Sequence, residues 1–421
     1  MKILFLTDNF PPESNAPANR TYEHALEWLK KGAEVTVITC APNFPQGKVF
    51  AGYKNRLWQE EKIDGIRVIR VWSYMSGNLG VIRRTLDYIS YAVTAFFAAL
   101  FVKTDIIIAT SPQFFTAISG FCTAFVKRKK WIMEVRDLWP ESIKAVDAIK
   151  HPGVIHFLEK IELFLYRRAD KIVVVTDAFK ENISQRGIPK SKIEVVKNGV
   201  LLHQYEEIPK DEILLKTHAL QDKFVIGYVG THGMAHRLDF ILNCAKNVTD
   251  PAIHFLFVGD GALRPKLLQQ KEELQLKNAT MLPSVSKVEV KRYISLFDVA
   301  LVNLRKNTTF KTVIPSKIFE NAAMGKPILL GLEGECMQLI QDYDAGPCFE
   351  PENETDFIEK VFLIKNNPAQ FHQYREGALN LARVFNREKF ARDLLKIIQT
   401  TTWGDAQLVR ERTVTEEDPI K

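Results

Sequence analysis

Lys317 and Glu320 place a cation and an acid three residues apart in the segment PSKIFENAAMGKPI, which spans 315–328. A helix that begins near Ser316 would turn both side chains toward the same edge. The free N–H groups of a first helical turn attract anions, and the ammonium of Lys317 adds a positive charge that suits a diphosphate. The carboxylate of Glu320 could accept hydrogen bonds from the vicinal hydroxyls of a ribose. The segment therefore indicates a nucleoside-diphosphate ligand, although a plain helix capped by Ser316 and ended by Gly325 fits the same residues.

A loop with the sequence GTHGMAHRLD, at 230–239, follows a predicted strand. Its two glycines, Gly230 and Gly233, allow the backbone to approach a ligand closely, and the helix that follows would point its first N–H groups at that ligand. The polar members of the loop are Thr231, His232 and His236. The loop is a second candidate for phosphate binding, and a simple strand-to-helix turn is the alternative.

The loop VRDLWPES, at 135–142, follows another predicted strand. Loops that a rigid sheet holds in place are where catalytic groups concentrate. Asp137 could act as a base for a hydroxyl group, and Arg136 could stabilise negative charge. A structural pair of Arg136 and Asp137 with Trp139 packed beneath it is the alternative interpretation.

The first loop of the chain, DNFPPESNAPANR at 8–20, contains no GxGxxG pattern. Its absence counts against a dinucleotide-dependent oxidoreductase. Ser14, Asn15 and Arg20 are the polar groups that this loop offers for binding, unless the segment is only a proline-rich helix cap.

Short apolar runs alternate with amphipathic stretches along the whole chain, which is the pattern of βαβ units and parallel sheets. The pattern stops in the polar stretch 202–222 and then begins again. Twelve strands are predicted, at 2–6, 34–39, 67–71, 105–109, 130–134, 171–175, 193–196, 224–229, 255–258, 280–282, 299–302 and 328–330. They indicate an α/β protein with two Rossmann-like, doubly wound parallel-sheet domains, whose ligands bind beyond the carboxyl ends of the strands.

The predicted organisation divides the chain into four parts. An N-terminal Rossmann-like domain at 1–205 would bind the acceptor, and a C-terminal one at 206–385 would bind the nucleotide-sugar. A helix at 386–402 follows, and the polar tail at 403–421 is expected to be disordered.

Composition is that of a folded globular protein, with 421 residues, 46% hydrophobic and 25% charged. The length favours two domains of roughly 200 residues each. The five cysteines form no CxxC pair and indicate neither zinc nor a disulfide framework. The N-terminus lacks the apolar stretch of a secretory signal, so a cytoplasmic location is expected.

Charge is distributed unevenly along the chain. Residues 1–200 hold 29 Lys and Arg against 20 Asp and Glu, a net charge of +9, whereas the remainder carries −2. No recognisable nucleic-acid motif accompanies the basic residues, so nucleic acid is not an expected partner. An anionic membrane surface or a pyrophosphate-bearing lipid accounts for the excess equally well.

The longest uncharged run extends from Tyr88 to Val102 and precedes the basic cluster at 127–130. It is shorter than the ~20 residues that a membrane span requires. The run therefore predicts either a membrane-facing helix beside basic clusters or an ordinary core helix.

Four segments, DNFPPE, VRDLWPES, YVGTHG and PSKIFE, occur in an order and spacing that resemble the retaining glycosyltransferases of family 4, WbuB-type group. The resemblance extends from residue 2 to about residue 400. It implies the GT-B architecture, in which two Rossmann-like domains face an interdomain cleft and the terminal helix returns to the first domain. It also implies a bacterial enzyme of O-antigen or capsule synthesis.

The same resemblance implies roles for the candidate residues. Ser316, Lys317 and the loop from Thr231 to Gly233 would hold the diphosphate of a UDP-sugar, Glu320 the ribose and Val285 the uracil. The expected donor is UDP-N-acetyl-L-fucosamine, and the acceptor is an undecaprenyl-diphosphate-linked sugar at the inner face of the membrane. Neither a metal nor another cofactor is expected, because no DxD-like motif follows a strand. The diphosphate would instead be stabilised by dipoles and cations of the protein.

Three departures from the family pattern are present. The acid that many members carry eight residues before the second Glu is replaced here by Thr312, and the first loop has no Gly-Gly pair. Thr231 and His236 occupy positions near which the family usually has Arg and Lys, with Arg237 adjacent. Lys317 therefore becomes the main candidate for the diphosphate.

Two other functions remain open from the sequence. A GT-B nucleotide-sugar epimerase would need the same donor site without a lipid acceptor. A non-catalytic nucleotide-sugar-binding subunit of a polysaccharide assembly complex would bind UDP without turnover.

Overall fold

The structure is a computed structural model that describes residues 1–44, 46–76, 81–111, 113–145 and 151–404. The chain divides into two compact units. The first contains Met1–Lys197 together with the segment that begins at Arg387, and the second is Asn198–Asn386. The junctions lie near the limits predicted from the sequence, 205/206 and 385/386. The predicted polar tail lies, from residue 405 onward, outside the described residues.

The described part of the first unit contains one eight-stranded sheet. Its strands are β1 (Lys2–Leu6), β2 (Glu34–Cys40), β3 (Gln59–Ile63), β4 (Ile66–Val71), β5 (Ile106–Thr110), β6 (Lys130–Val135), β7 (Lys171–Val174) and β8 (Ile193–Val195). They lie in the order β3-β4-β2-β1-β5-β6-β7-β8, and every neighbouring pair is parallel except β3 with β4.

Helices cover both faces of this sheet. They are α1 (Ala16–Lys30), α2 (Val81–Leu100), α3 (Phe114–Lys127), α4 (Glu141–Ala145), α5 (Pro152–Arg168) and α6 (Asp177–Gln185), together with the C-terminal helix (Arg387–Trp403). The start of α1 follows from its sequence, since the Asn15 side chain accepts a hydrogen bond from the N–H of Ala18, and a proline occupies the first turn. None of the helices among the described residues is both long and apolar enough to cross a membrane.

The C-terminal helix belongs to the first unit, where it packs against α1. The indole N–H of Trp28 donates to the carbonyl of Ala391 at 2.8 Å, and Arg387 forms a buried ion pair with Glu23. Leu394, Leu395 and Ile398 join the same core as Trp28. The helix thus covers apolar surface that α1 would otherwise expose to water.

The second unit contains, in its described residues, a five-stranded parallel sheet of β9 (Phe224–Val229), β10 (Ile253–Val258), β11 (Ala279–Leu282), β12 (Val299–Asn303) and β13 (Ile328–Gly331). The order is β11-β10-β9-β12-β13. Its helices are α7 (Glu212–Thr217), α8 (Leu238–Asn247), α9 (Arg264–Glu273), α10 (Lys287–Ser295), α11 (Lys317–Ala323), α12 (Glu335–Asp342), α13 (Glu354–Asn366) and α14 (Pro368–Val384).

In each sheet, the order of the strands reverses direction at one point. In the first unit the chain builds outward from β1 through β2 and then returns to place β5 on the other side of β1. In the second unit it builds outward from β9 through β10 and then returns to place β12 beside β9. Ligands of such sheets bind at these reversal points. The places to examine are therefore the loops after β1 and β5 and the loops after β9 and β12.

All twelve predicted strands are present, and the predicted fold class of two doubly wound α/β sheets is confirmed. Two elements differ from the sequence prediction. The antiparallel edge strand β3 has the sequence QEEKI, which offers no apolar run; one of its faces is exposed and the other is half-buried. Residues 202–222, expected to be irregular, contain α7, which Asp211 caps by accepting hydrogen bonds from the N–H groups of Ile213 and Leu214.

Gly227 in β9 provides a test of the packing of the second unit. A methyl group at this position would lie 2.0 Å from Cδ1 of the buried Phe297 ring. We expect Gly227→Ala to lower the free energy of unfolding by about 1–3 kcal/mol, because overpacking forces neighbouring side chains out of place. Urea titration followed by circular dichroism measures this change.

The matched control is Gly153→Ala in α5, where the glycine is exposed and no close contact with buried atoms would form. Combining Gly227→Ala with Phe297→Leu should cost less than the sum of the two single changes, since the smaller side chain makes room for the methyl group. A Gly227→Ala protein as stable as the unchanged one would contradict the packing described here.

Candidate functional site

The reversal point of the second sheet lies between β9 and β12, and α11 starts nearby. Helix α11 begins at Lys317, directly after Ser316, whose backbone is already helical with φ −61° and ψ −27°. Ser316 makes no side-chain cap to this helix in the described structure. Glu320 lies in the first turn, as the spacing predicted.

The ammonium of Lys317 is the central group of this site. Its Nζ is buried, lies 3.8 Å from the centroid of the Tyr228 ring, and has no hydrogen-bond partner among the described residues. A methyl group on Gly230 would lie 3.1 Å from this Nζ, so the glycine leaves the space that the ammonium faces. Burial lowers the pKa of Lys317 to about 7, and the nearby carboxylate of Glu320 opposes that shift.

Two histidines stand beside Lys317. His232 is fully buried, and neither of its ring nitrogens has a hydrogen-bond partner in the described structure; the same holds for Nδ1 of His236. Their rings lie 6.0 Å and 5.9 Å from the Tyr228 ring, respectively. Burial lowers the pKa of His232 to about 4, with Arg264 and Lys317 adding to the effect. Burial and Lys317 also hold the pKa of His236 well below its ordinary value, so both rings are neutral near pH 7.

The loops after β9 and β10 are packed directly on one another. The N–H of His232 donates to the carbonyl of Asp260 at 2.8 Å. A methyl group on Gly259 would lie 1.9 Å from the carbonyl oxygen of Gly230, and one on Gly261 would lie 2.6 Å from that of His232. Gly259 and Gly261, the two glycines that follow β10, therefore allow the two loops to pack this closely around His232.

The structure brings five predicted loop residues together with Lys317, namely Gly230, Thr231, His232, Gly233 and His236. Thr231 is exposed, and its carbonyl accepts a hydrogen bond from the hydroxyl of Tyr228 at 2.7 Å. Val285 lies apart from them, in the loop after β11, which is the edge strand of the sheet. The role of Val285 stays a prediction.

Tyr228 is a residue of the site that the sequence did not reveal. It lies near the carboxyl end of β9, where a buried aromatic residue is ordinarily a core residue, and it is 1% exposed. Its ring contacts the Lys317 ammonium, and its hydroxyl holds the backbone at Thr231. The signal was its position two residues before Gly230, at the carboxyl end of a strand.

Asp137 and Arg136 follow β6 in the first unit, at the carboxyl edge of its sheet. Burial raises the pKa of Asp137 to about 6, with Arg136 opposing the shift. The backbone N–H of Arg136 donates to Oγ of Ser111 at 3.0 Å, while its Nε and Nη1 are buried without partners in the described structure. Trp139 stacks on Phe114, with ring centroids 4.6 Å apart. This edge therefore combines a carboxylate that holds a proton readily with an unsatisfied guanidinium.

Arg20, expected in the first loop, lies instead inside α1 and is 1% exposed. Its Nε donates to Glu134 at 3.0 Å, and its Nη atoms donate to the carbonyls of Val196 and Lys197. It binds α1 to β6 and is not a polar group of the loop. The sequence could not reveal this buried ion pair, because the acid that pairs with Arg20 is more than a hundred residues away.

Asn15 and Ser14 are the other two candidates of the first loop. Asn15 caps α1, and its amide donates to the side chain of Asn9. Ser14 is exposed, and its carbonyl accepts a hydrogen bond from the side chain of Asn19. Of the three loop residues, Ser14 is the one whose side chain faces solvent.

Two further carboxylates of the first unit were not singled out from the sequence. Asp8 is the first charged residue after β1, and burial raises its pKa while Arg84 and Arg136 lower it. Glu13 is buried and accepts hydrogen bonds from the N–H groups of Asn43 and Phe44, both at 2.8 Å. Burial nevertheless raises the pKa of Glu13 to about 7. Within the described residues, no three His, Cys, Asp or Glu side chains are arranged to hold a metal ion.

Comparison with family models accounts for both units. A model described as "Glycosyl transferase 4-like domain" matches residues 15–199, and one described as "Glycosyl transferases group 1" matches residues 223–367. The two domains identify the chain as a glycosyltransferase of the GT-B fold class.

Relatives support the same class. The chain is 23% identical over 404 residues to the putative colanic acid biosynthesis glycosyl transferase WcaI of Escherichia coli K12, covering 92% of this chain and 98% of that one. It is 26% identical over 271 residues to the putative teichuronic acid biosynthesis glycosyltransferase TuaH of Bacillus subtilis, covering 63% and 66%. A Campylobacter jejuni N-acetylgalactosaminyltransferase, whose name specifies a diphospho-undecaprenol acceptor, is 24% identical over 245 residues, covering 56% and 61%.

Solved structures share the fold. Anabaena Alr3699/HepE in complex with UDP-glucose superposes with a TM-score of 0.72 at 15% identity, covering 95% of this chain and 100% of that one. WaaG, a glycosyltransferase of lipopolysaccharide biosynthesis, gives a TM-score of 0.70 at 13% identity, covering 94% and 99%.

Proposed function

We propose that this glycosyltransferase takes a sugar from a UDP-sugar and transfers it, with retention of anomeric configuration, to an undecaprenyl-diphosphate-linked sugar in the synthesis of a bacterial polysaccharide. The observation that carries the proposal is the buried ammonium of Lys317, which has no hydrogen-bond partner in the part of the chain that the structure describes. Colanic and teichuronic acids appear in the names of two relatives, and a diphospho-undecaprenol acceptor in that of a third. N-acetyl-L-fucosamine remains the donor sugar that the sequence resemblance suggests.

Lys317 needs an anion to complete its surroundings. A buried charge without a partner is costly, and here burial has already lowered the pKa of the ammonium to about 7. A diphosphate in front of Gly230 would supply two negative groups to the ammonium and could also reach the rings of His232 and His236. Charge-assisted hydrogen bonds of this kind are about twice as strong as neutral ones.

The neutral histidines suit a leaving diphosphate. As the bond from the sugar to UDP breaks, negative charge grows on the phosphate oxygens, and fixed donors in a dry site stabilise that charge without reorganising. A neutral imidazole can donate one hydrogen bond without competing with Lys317 for the proton. Glu320, one turn into α11, is the proposed acceptor for the ribose hydroxyls.

At the acceptor side, a retaining transfer brings the incoming hydroxyl to the face from which UDP departs. A phosphate oxygen of the leaving group can then take the hydroxyl proton. Asp137 and Arg136 are proposed as helpers that orient the acceptor and stabilise its charge, not as a nucleophile. We further propose a cytoplasmic enzyme at the inner face of the membrane, with no metal or other cofactor.

An assay of the purified protein with a panel of UDP-sugars tests the proposal. UDP should be released only when polyprenyl-diphosphate N-acetylglucosamine is present. Turnover of the sugar nucleotide without acceptor would indicate an epimerase. Tight UDP binding without turnover across the panel would indicate a binding subunit.

Removing either charged group of α11 should weaken UDP binding. We expect Lys317→Ala and Glu320→Ala each to cost about 1–3 kcal/mol of binding free energy, the scale of a charge-assisted hydrogen bond. Isothermal titration calorimetry measures the affinity, and circular dichroism checks the fold. Lys326→Met is the matched control, because Lys326 is also largely buried but donates to the carbonyl of Ser295. Unchanged UDP affinity in both folded variants would remove the assignment.

UDP affinity should depend on pH through Lys317. The free ammonium has a pKa of about 7, and a bound diphosphate would raise it, because the anion favours the charged form. Binding is then strongest below pH 7 and weakens as pH rises from 7 to 9, with a proton taken up on binding. Titrations in buffers of different ionisation enthalpy measure that proton. Lys317→Arg should flatten the dependence, since arginine stays charged; an equal slope in this variant would assign the titration to another group.

Activity should not depend on a divalent metal. The proposed site offers Lys317 and neutral histidines to the diphosphate, so saturating EDTA should leave the rate of UDP release unchanged. Complete loss of activity in EDTA, restored by magnesium or manganese, would show that a metal site exists.

A further inference from the structure

Helix α2 exposes a continuous apolar stripe along one side. Its members recur every three or four residues, which places them on a single helical face, and their exposed fractions run from 40% to 81%. They are Ile82, Leu86, Ile89, Val93 and Phe97, with Phe101 directly after the helix. An apolar face of this length is unusual on a protein surface that meets only water.

The opposite side of α2 is already used for packing. Ala95 and Ala99 are fully buried, Tyr91 is 1% exposed, and the hydroxyl of Tyr91 donates to the carbonyl of Ile38 in β2. The small alanines let the helix lie close to its neighbours. Helix α2 therefore has two apolar faces: one packs against the rest of the first unit, and the other, the stripe, is exposed.

The end of α3 extends the stripe. The ammonium of Lys127 donates to the carbonyl of Leu100 at 2.9 Å, which joins the C-terminal ends of α2 and α3. Phe125 and Val126, which directly precede Lys127, are 76% and 56% exposed. Together with Phe97 and Phe101 they form an apolar corner.

Basic residues border this surface, and the segment that carries it contains few acids. Residues 81–130 hold seven Lys and Arg against two Asp, a net charge of +5. Arg83 and Arg84 are exposed at the start of α2, and Arg128 and Lys129 are exposed beside the corner. The acid of α2, Asp87, is turned toward the backbone N–H of Ser76, and burial raises its pKa to about 6.

We infer that the α2 stripe and the α3 corner form a docking surface that lies in the interface of an anionic lipid bilayer, with α2 parallel to the membrane plane. An apolar face bordered by Lys and Arg is what interfacial helices present, the side chains entering the acyl boundary and the cations meeting lipid phosphates. This inference rests on the proposed function, because an enzyme with a lipid-linked acceptor has to reach that acceptor at a membrane.

The topology adds a consequence for the acceptor. Helix α2 leaves the carboxyl end of β4 and leads to the amino end of β5, so its first turns lie at the carboxyl edge of the sheet. Arg84 of that first part influences the pKa of Asp8, which follows β1 at the same edge. A membrane under the stripe would thus meet the first unit next to its candidate acceptor residues.

Vesicle flotation with the full-length protein tests the surface. We expect binding to vesicles of phosphatidylcholine with phosphatidylglycerol, weaker binding at high salt, and little binding to phosphatidylcholine alone. Phe97→Ser combined with Phe101→Ser should reduce the affinity at least about tenfold, because two exposed aromatic side chains no longer enter the bilayer. The matched control, Ile213→Ser with Val288→Ser, removes two equally exposed apolar side chains of the second unit and should bind as the unchanged protein does.

The charged border is tested separately. Arg128→Gln with Lys129→Gln should reduce binding and its salt dependence, whereas Lys127 and Lys130 are less suitable targets because they bond Leu100 and Asp170. No binding of the unchanged protein to anionic vesicles at low salt would overturn the inference, as would equal binding by the Phe97 and Phe101 variant. A lipid-free dimer that this variant dissociates, without vesicle binding, would show instead that a second copy covers the stripe.

The outcome can be separated from that of the proposed function. The Phe97 and Phe101 variant should keep its activity on a water-soluble, short-chain polyprenyl-diphosphate sugar and lose it on a vesicle-embedded one. If the protein binds vesicles but is inactive with every acceptor, the inferred membrane-docking surface is supported and the transferase proposal is refuted.

Discussion

The position of one buried cation is the constraint on which the second unit's site depends. Lys317 carries its ammonium against the Tyr228 ring and toward Gly230, without a hydrogen-bond acceptor among the described residues. Neighbouring residues hold the ammonium in this position. Gly230 supplies the space in front of the ammonium, and stacking of Phe319 on Phe385 fixes the helix that carries it. A folded protein tolerates such a group when a ligand uses it, and the lowered pKa of Lys317 expresses the energetic cost.

The two units differ in the charge they hold at the carboxyl edges of their sheets. In the second unit, Lys317 and two neutral histidines provide donors and a cation, which suits the leaving group of a nucleotide sugar. In the first unit, burial raises the pKa values of Asp8, Glu13 and Asp137, so these carboxyls hold protons more readily than exposed ones. Burial raises the pKa of Glu13 to about 7 and that of Asp137 to about 6, and a carboxyl with such a pKa can accept and release a proton near neutral pH. The proposed function assigns the donor to the second unit and the acceptor to the first.

The sequence predicted the sheets well because their strands are short, apolar and bounded by polar turns, which is a local signal. The edge strand β3 gave no such signal, since its five residues are mostly charged and none of them is fully buried. The candidate residues near Lys317 could be found because glycines and cations after strands are visible in the sequence. The role of Arg20 could not, because its burial depends on Glu134, which only the fold brings to it. Tyr228 could not be identified either, because a core aromatic residue and a site residue look alike within a strand.

Burial lowers the pKa of Lys317, and Thr312 carries no charge that could oppose this shift. The family that the sequence resembles often has a carboxylate at this position, eight residues before Glu320. Here the hydroxyl of Thr312 donates to the carbonyl of Thr309 at 2.7 Å and closes a short 3₁₀ turn at Thr308–Thr312. Glu320 is the carboxylate that opposes the effect of burial on the pKa of Lys317. Because a single carboxylate opposes that effect, the affinity of this site for an anion becomes sensitive to pH near neutrality.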